Sequence, residues 1–152
     1  MVFIAYWRSL MQQTVLLSIR PEFAEKILDG RKRFEFRRTL FRDANVTKAI
    51  IYASRPVCRV IGEFDIEEVL SLPMDILWRR TRREAGISRR FFCAYFQGKQ
   101  ECHAIRVSNP TRYKEPMHLD DALGMVRPPQ SFAYVRTANM PLHRTAGKLE
   151  PL

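Results

Sequence analysis

The segment Gly30-Arg31-Lys32-Arg33-Phe34-Glu35-Phe36-Arg37 carries most of the information about how this chain folds. From Phe34 on, aromatic and charged residues alternate, which is the period of a β-strand. We therefore predict a half-buried strand over residues 33–38. Phe34 and Phe36 lie on one of its faces, and Glu35 and Arg37 lie on the other.

A strand and a helix are predicted before this segment. The apolar run Val15 to Ile19 predicts a buried strand. Pro21 suits the first turn of a helix. Phe23, Ala24, Ile27 and Leu28 recur at helical spacing, and Gly30 provides a left-handed cap after the last turn.

The rest of the chain is rich in strands. Two helices are predicted, over residues 74–83 and from the N-cap Ser88 to a stop at Gly98. Strands are predicted at 48–53, 59–69 (bent at Gly62), 103–107, 113–119 and 132–135, with a turn at Asn109-Pro110. This order predicts an α+β fold in which a largely antiparallel, barrel-like sheet encloses one core.

The length of 152 residues suits one domain. We expect an N-terminal extension over 1–13, the domain over 14–136 and a flexible tail over 137–152. The first ten residues lack the pattern of a signal peptide, and Met11 is a candidate natural start. Since no run reaches the roughly 18 apolar residues of a membrane helix, we expect no membrane partner.

A formal net charge of +10 favours a polyanionic partner. Aromatic residues interleave with the basic ones, as in Arg89-Arg90-Phe91-Phe92, which suits stacking on bases beside phosphate contacts. The alternative is that the charge serves solubility. The three cysteines, with no CxxC spacing, predict reduced thiols in a cytoplasmic protein, without metal or cofactor.

The order of motifs resembles the ASCH domain, a family of the PUA-like superfamily of small β-barrels. The resemblance begins with Leu17-Ser18-Ile19-Arg20-Pro21 and with Gly30-x-Lys32-x-x-Glu35-x-Arg37. It continues through 50–54, 61–64, 86–88, 95–98 and 128–132, and spans roughly 14–135. It implies a β-barrel with flanking helices and a cleft that binds RNA or modified bases. Family members are linked to transcription or translation, one branch hydrolyses N4-acetylcytidine, and another is described as a ribonuclease.

Lys32, Glu35 and Arg37 are the main site candidates. Lys32 follows a helix end and precedes a strand, so it can reach a cleft as a phosphate clamp or, if desolvated, as a base. Glu35 and Arg37 share a strand face and can form a salt bridge or read a base edge. The alternative is that Lys32 and Arg37 are merely solvated and that Glu35 stabilises them.

The resemblance to the amidohydrolase branch implies a catalytic lysine, a threonine three residues later and a downstream glutamate. Lys32 matches the lysine, but Glu35 stands at the threonine position, where a carboxylate would act as general base or acceptor. Glu84 is the candidate for the downstream glutamate. A Lys32–Glu35 pair could still activate water.

Strand ends supply further candidates, because such ends converge on one mouth in a small barrel. The residues are Ser18, Arg20, Ser54, Gln130 and Ser131. Tyr52 and Phe132 could stack on a base, although core positions are the commoner role. A second basic region is either a solvated face or a phosphate-tracking surface; it contains Arg79, Arg80, Arg82, Arg83, Arg89 and Arg90, with Trp78 and Phe91 as apolar anchors.

Three hypotheses follow from the sequence. The first is a module that binds RNA or a modified nucleotide, as a regulator of transcription or translation. The second is a hydrolase that acts on an acylated nucleoside or on RNA. The third is a protein-interaction regulator whose charge only serves solubility and whose protein partners the sequence does not name.

Overall fold

A computed structural model describes residues 12–136 of the chain. Its strands are β1 (Gln13–Ile19), β2 (Phe34–Arg37), β3 (Val46–Ala53), β4 (Arg59–Leu72), β5 (Cys102–Met117) and β6 (Phe132–Val135). Its helices are α1 (Pro21–Leu28), α2 (Met74–Thr81), α3 (Arg89–Phe96) and α4 (Leu119–Leu123), with a 3-10 turn at Arg82–Glu84. The candidate start Met11 and the predicted tail lie outside the described residues, as does most of the predicted extension.

The strands form one six-stranded sheet in the order β2-β5-β4-β3-β1-β6. β1 and β3 are parallel, and every other neighbouring pair is antiparallel. The predicted α+β class and the largely antiparallel sheet are therefore confirmed. The predicted closure into a barrel is wrong, because β2 and β6 are the two edges of the sheet and no ladder joins them within residues 12–136.

A single side chain spans the opening between the two ends of the sheet. Arg37 on edge strand β2 donates from Nη1 to the carbonyl oxygen of Ser18, near the end of β1, at 3.1 Å. Its Nη2 donates to the carbonyl oxygen of Ser131, directly before β6, at 2.6 Å. The sheet therefore curls until one arginine reaches from one edge to the other, and a gap remains between the edges.

Strands β4 and β5 are longer than the sequence indicated. The predicted turn at Asn109-Pro110 is wrong, since β5 runs through it. The predicted strand at 113–119 falls in the second half of β5, which ends at Met117. Asn109 has a φ of 47°, and the register against β4 shifts at this point. The turn signal marks a β-bulge inside a continuous strand.

Gly62 permits a close approach rather than only a bend. A Cβ at this position would lie 2.5 Å from the carbonyl oxygen of Thr111 on β5 and 2.8 Å from Leu28 on α1. Real Cβ atoms do not come so near to other atoms. Helix α1 and the paired strand can therefore pack against β4 only because residue 62 has no side chain.

The predicted half-burial of β2 is also wrong, because all four of its residues are buried. Phe36 packs edge to face against Phe92 and Phe96 of α3, with ring centroids 5.1 and 6.1 Å apart. The opposite face carries Glu35 and Arg37, which are covered by the curled end of the sheet rather than by water. A short edge strand therefore has no solvated face.

The helices cover the sheet as their apolar spacing predicts. Ala24 and Ile27 of α1 are buried in a cluster with β1, β3, β4 and β5. Ser88 caps α3 by accepting a hydrogen bond from the backbone N–H of Phe91. Trp78 of α2 packs against Phe92 of α3, with ring centroids 5.0 Å apart. Between residues 12 and 136, no helix has both the length and the hydropathy needed to cross a membrane.

Candidate functional site

A cavity of about 510 Å³ opens between the edges of the curled sheet. This volume lies in the range of sites that hold small molecules, about 300–1,000 Å³. The cavity is bounded by the end of β1, the start of α1, strand β2, helix α3 and the loop before β6. The residues that line it are Ser18, Ile19, Arg20, Phe23, Lys32, Glu35, Phe36, Arg37, Arg38, Thr39, Ile87, Phe91, Tyr95, Gln130 and Ser131.

Lys32 is the most unusual group in the cavity wall, because its side chain is only 2% exposed. Its Nζ donates to the carbonyl oxygen of Ala85 at 2.8 Å. The same atom lies 4.6 Å from the ring centre of Phe36 and 5.5 Å from that of Phe23. Burial lowers the pKa of Lys32 to about 8, against the attraction of Glu35 and with a smaller contribution from Lys26.

The loop between the 3-10 turn and α3 is shaped to receive this lysine. Gly86 has a φ of +67°, and a Cβ there would lie 2.6 Å from the Cβ of Lys32. Lys26 of α1 donates to the carbonyl oxygen of Gly86 at 3.0 Å. The backbone N–H of Arg33 donates to the carbonyl oxygen of Glu84 at 2.9 Å. Three hydrogen bonds, counting the one from Lys32, therefore hold the consecutive carbonyls of residues 84–86.

Glu35 and Arg37 form a buried ion pair across two residues of β2. Arg37 Nη1 lies 3.2 Å from Glu35 Oε1, and the side chains are 8% and 7% exposed. No hydrogen bond from residues 12–136 reaches the second carboxylate oxygen, Oε2. That oxygen is thus available to a ligand on the cavity wall.

The donors of Arg37 are largely used inside the protein. Besides Glu35 and Ser18, the guanidinium donates to both the carbonyl and the hydroxyl oxygen of Ser131, at 2.6 and 2.8 Å. Ser18 in turn donates its hydroxyl to the carbonyl oxygen of Pro129 at 2.6 Å. Arg37 and Ser18 therefore fix the Pro128–Ser131 loop over the cavity.

Aromatic rings supply the apolar walls. Phe23 of α1 meets Phe91 of α3 edge to face at 5.3 Å, and Phe91 lies nearly parallel to Tyr95 at 6.4 Å. The hydroxyl of Tyr95 donates to the carbonyl oxygen of Phe36 at 3.1 Å, and burial raises the pKa of that phenol. The cavity therefore combines flat rings with one ammonium and one carboxylate.

Many of the residues singled out from the sequence meet in this cavity. They are Ser18, Arg20, Lys32, Glu35, Arg37, Gln130 and Ser131. The alternative that Lys32 and Arg37 are merely solvated is wrong, since they are 2% and 7% exposed. Their roles toward a ligand stay predictions.

The other candidates lie elsewhere in the fold. Four of them do not line the cavity: Ser54, Arg79, Arg80 and Arg83. The backbone N–H of Ser54 donates to the carbonyl oxygen of Ile19.

Glu84 also lies outside the cavity. Its Oε2 is 4.0 Å from Nη1 of Arg106 on β5. The structure therefore does not bring a second carboxylate to Lys32.

Two aromatic candidates prove to be packing residues. Tyr52 is buried in the cluster beneath α4, and Phe132 is partly buried against Phe41 at 6.0 Å.

Sequence reasoning missed the aromatic wall. Phe91 was expected to anchor α3 to the core, but Phe92 and Phe96 take that role while Phe91 and Tyr95 line the cavity. The i, i+4 spacing of Phe91 and Tyr95 places them on one helix face, and Phe92 and Phe96 have the same spacing. Spacing alone does not tell which pair faces the core.

Comparisons with known proteins agree with the motifs. A relative from Zymomonas mobilis, named ASCH domain-containing ribonuclease, is 35% identical over 130 residues, which are 82% of this chain and 86% of that protein. The crystal structure of ASCH from Zymomonas mobilis has a TM-score of 0.74 at 32% identity, and the match covers 83% of this chain and 90% of that one. Large ribosomal subunit protein uL22 of Ureaplasma parvum is 28% identical over 125 residues, which are 82% of this chain but 40% of that protein.

A family model described as the ASCH domain matches residues 17–119. This range includes the end of β1, Lys32, β2 and the two helices that flank the cavity, α1 and α3. The chain belongs to the ASCH domain family.

Proposed function

We propose that this protein binds single-stranded RNA and cleaves it in the cavity between the edges of the sheet. The observation that carries the proposal is the buried pair of charges, Lys32 and Glu35, on a wall that also presents aromatic rings. A relative that shares 35% identity along most of its length is named a ribonuclease, which supports the same reading.

Recognition would use an unstacked nucleotide. The cavity is large enough for a base with its sugar, and Phe23, Phe91 and Tyr95 offer ring faces and edges to it. Bases can leave the stack at low cost only in single strands, loops and ends, and aromatic contacts stabilise them there. Arg20 and Arg38, exposed at the rim, would contact the flanking phosphates.

The chemistry would be an internal phosphoryl transfer. The carboxylate of Glu35 takes the proton of a ribose 2′-hydroxyl, and the 2′-oxygen forms a bond to the adjacent phosphorus. The bond from phosphorus to the 5′-oxygen of the next nucleotide breaks, and the ammonium of Lys32 gives that oxygen a proton. Positioned acids and bases of this kind contribute about 10²–10⁴-fold each to a rate.

The test is cleavage of a fluorescent single-stranded RNA by the purified chain and by Lys32→Met and Glu35→Gln, each checked for folding by circular dichroism. We expect a 2′,3′-cyclic phosphate product from the unsubstituted chain and a loss of about 10²-fold or more in kcat/KM for both variants. An RNA with 2′-O-methyl groups should bind without being cleaved. Cleavage at an unchanged rate by both variants would rule out this site.

A second candidate is the hydrolysis of an acylated nucleoside. The pKa of Lys32, lowered to about 8 by burial, favours it, since an amine near neutrality can serve as a base. Because Glu35 stands in place of a threonine, water would have to be the nucleophile. N4-acetylcytidine offered to the same set of proteins distinguishes this activity, and binding without turnover of either substrate would indicate a pure recognition module.

A further inference from the structure

A run of exposed arginines lies beside the cavity without forming part of it. We call it the arginine surface: Arg80, Arg82, Arg83, Arg89 and Arg90, all exposed. Within the chain segment that the structure describes, none of the five takes part in an ion pair. Their neighbour Arg79 differs, because it pairs with Asp75 at 3.7 Å.

This lack of partners distinguishes the arginine surface from several other cations of the fold. Arg31 pairs with Asp29 at 2.6 Å, and Lys48 pairs with Glu63 at 2.7 Å. The one acidic residue within the run, Glu84, has its Oε2 4.0 Å from Nη1 of Arg106 on β5. The five arginines of the arginine surface, spread over residues 80–90, therefore have no ion-pair partner among residues 12–136.

The placement of two of these arginines opposes the stability of their own helix. Arg89 and Arg90 occupy the first turn of α3, which contains no acidic residue. Cations are unfavourable at a helix N-terminus, where the backbone dipole is positive. Positions that contradict local preference are where function is expected. A bound polyanion would offset both the dipole and the mutual repulsion of the guanidinium groups.

Helix α3 connects the arginine surface to the cavity. Phe91 lines the cavity, and its chain neighbour Arg90 is exposed to solvent. The helix spans about 12 Å, so a strand that places one nucleotide against Phe91 can continue directly over the arginines. Continuity of this kind favours RNA over an unrelated anionic partner.

We propose that the arginine surface binds the phosphate backbone of the same RNA strand whose nucleotide enters the cavity. The proposal rests on the proposed function for the identity of the strand. It adds a second contact region, which makes affinity depend on the length of the RNA and on salt.

The test uses a 2′-O-methyl RNA of twelve nucleotides, which cannot undergo the proposed cleavage, so binding is measured apart from catalysis. Dissociation constants are measured by fluorescence anisotropy across a salt series for the unsubstituted chain and for Arg83→Gln/Arg90→Gln. Neutralising two phosphate contacts should reduce the slope of log affinity against log salt by about 1.4, at about 0.7 per charge.

The matched control is Lys99→Gln/Lys114→Gln, which removes the same charge at exposed positions outside the cavity and the arginine surface. Its slope should equal that of the unsubstituted chain. Equal slopes for the two double variants would overturn the proposal. It would also be overturned if Arg83→Gln/Arg90→Gln lost binding to phosphatidylserine vesicles but still bound RNA like the unsubstituted chain. A chain that shows the expected slopes but never cleaves RNA would refute the proposed function alone.

Discussion

Lys32 illustrates how one residue can serve a site at the expense of the fold. Its ammonium is buried with a single hydrogen bond and two ring faces as partners. Moving a charge out of water is costly unless it is fully compensated, and a residue of this kind is seldom retained for stability. We therefore treat the position as one where stability and function conflict, and the conflict can be measured.

Lys32→Met should make the protein more stable at pH 6. A pKa of about 8, against the ordinary lysine value of 10.5, corresponds to about 3 kcal/mol of unfavourable burial. Loss of the hydrogen bond to Ala85 should destabilise the variant by about 1 kcal/mol. A net gain of about 2 kcal/mol should appear in urea unfolding.

The gain should depend on pH in a defined direction. Below pH 8 both the folded and the unfolded chain carry the Lys32 proton, so the unfavourable burial is fully present. Between pH 8 and 10.5 the unfolded chain holds a proton that the folded chain has lost, and the original protein gains stability relative to Lys32→Met. An advantage of the variant that stays constant from pH 6 to pH 10 would contradict the lowered pKa of Lys32.

Gly86→Ala should damage both stability and the site. The backbone at Gly86 has a positive φ, and the added Cβ would strike Lys32. Gly98 is the matched control, because it also has a positive φ but nothing lies within 4 Å of an added Cβ. Gly98→Ala should cost only about 1–2 kcal/mol in urea unfolding. Gly86→Ala should cost more and should also weaken RNA binding, and equal effects of the two would show that the loop does not shape the site.

The spacing of Lys32, Glu35 and Arg37, together with the resemblance to the ASCH domain, identified these residues as site candidates from the sequence. Their burial was not predictable, because a strand of four residues with two charges has the pattern of a half-solvated edge. The residues that cover these side chains come from distant parts of the chain and include Ser18 and Ser131. Contacts at such separations leave no local signature.

At the scale of elements, the Arg37 side chain should contribute strongly to stability. Arg37→Met leaves the carboxylate of Glu35 buried without a partner and frees the loop before β6, at a cost of about 3–5 kcal/mol. Arg112→Met removes an exposed pair with Glu25, with side chains 49% and 50% exposed, and should cost about 0–1 kcal/mol. Thermal unfolding compares the two, and similar losses would mean that Arg37 does not bridge the edges of the sheet in solution.

Helix α3 should become more stable when its first turn is made acidic. Arg89→Glu should stabilise the protein by about 0.3–1 kcal/mol at low salt, because it removes an unfavourable charge from the helix N-terminus. Arg80→Glu, in the last turn of α2, should have the opposite sign. Both changes in the free energy of unfolding should become smaller in high salt. If the two substitutions changed stability in the same direction, the helix dipole would not be the cause.

Elements with strong local signals were predicted well from the sequence. Ser88 caps α3, and β6 has the predicted bounds. The exception is Asn109-Pro110, a turn signal that the structure uses as a bulge inside β5. A bulge and a turn share their local chemistry, and only pairing with β4 decides between them.

At the scale of the molecule, the sheet was predicted to close and instead remains open. Closure depends on whether the two edge strands pair. Here β2 pairs only with β5 among residues 12–136, and the Arg37 side chain rather than a ladder joins it to the other end of the sheet. The opening is also where the cavity lies. The motif indicated a cleft near β2, but its aromatic wall depends on how α1 and α3 pack against each other.

The pH dependence of RNA cleavage tests the central claim most directly, namely that Lys32 in this cavity acts as the proton donor. Single-turnover rates with a saturating single-stranded RNA should fall above pH 8, because burial lowers the pKa of Lys32 to about 8 and the ammonium is then lost. Lys32→Met should show a low rate without that falling limb. A rate that stays level or rises between pH 7 and pH 9.5 would contradict the account.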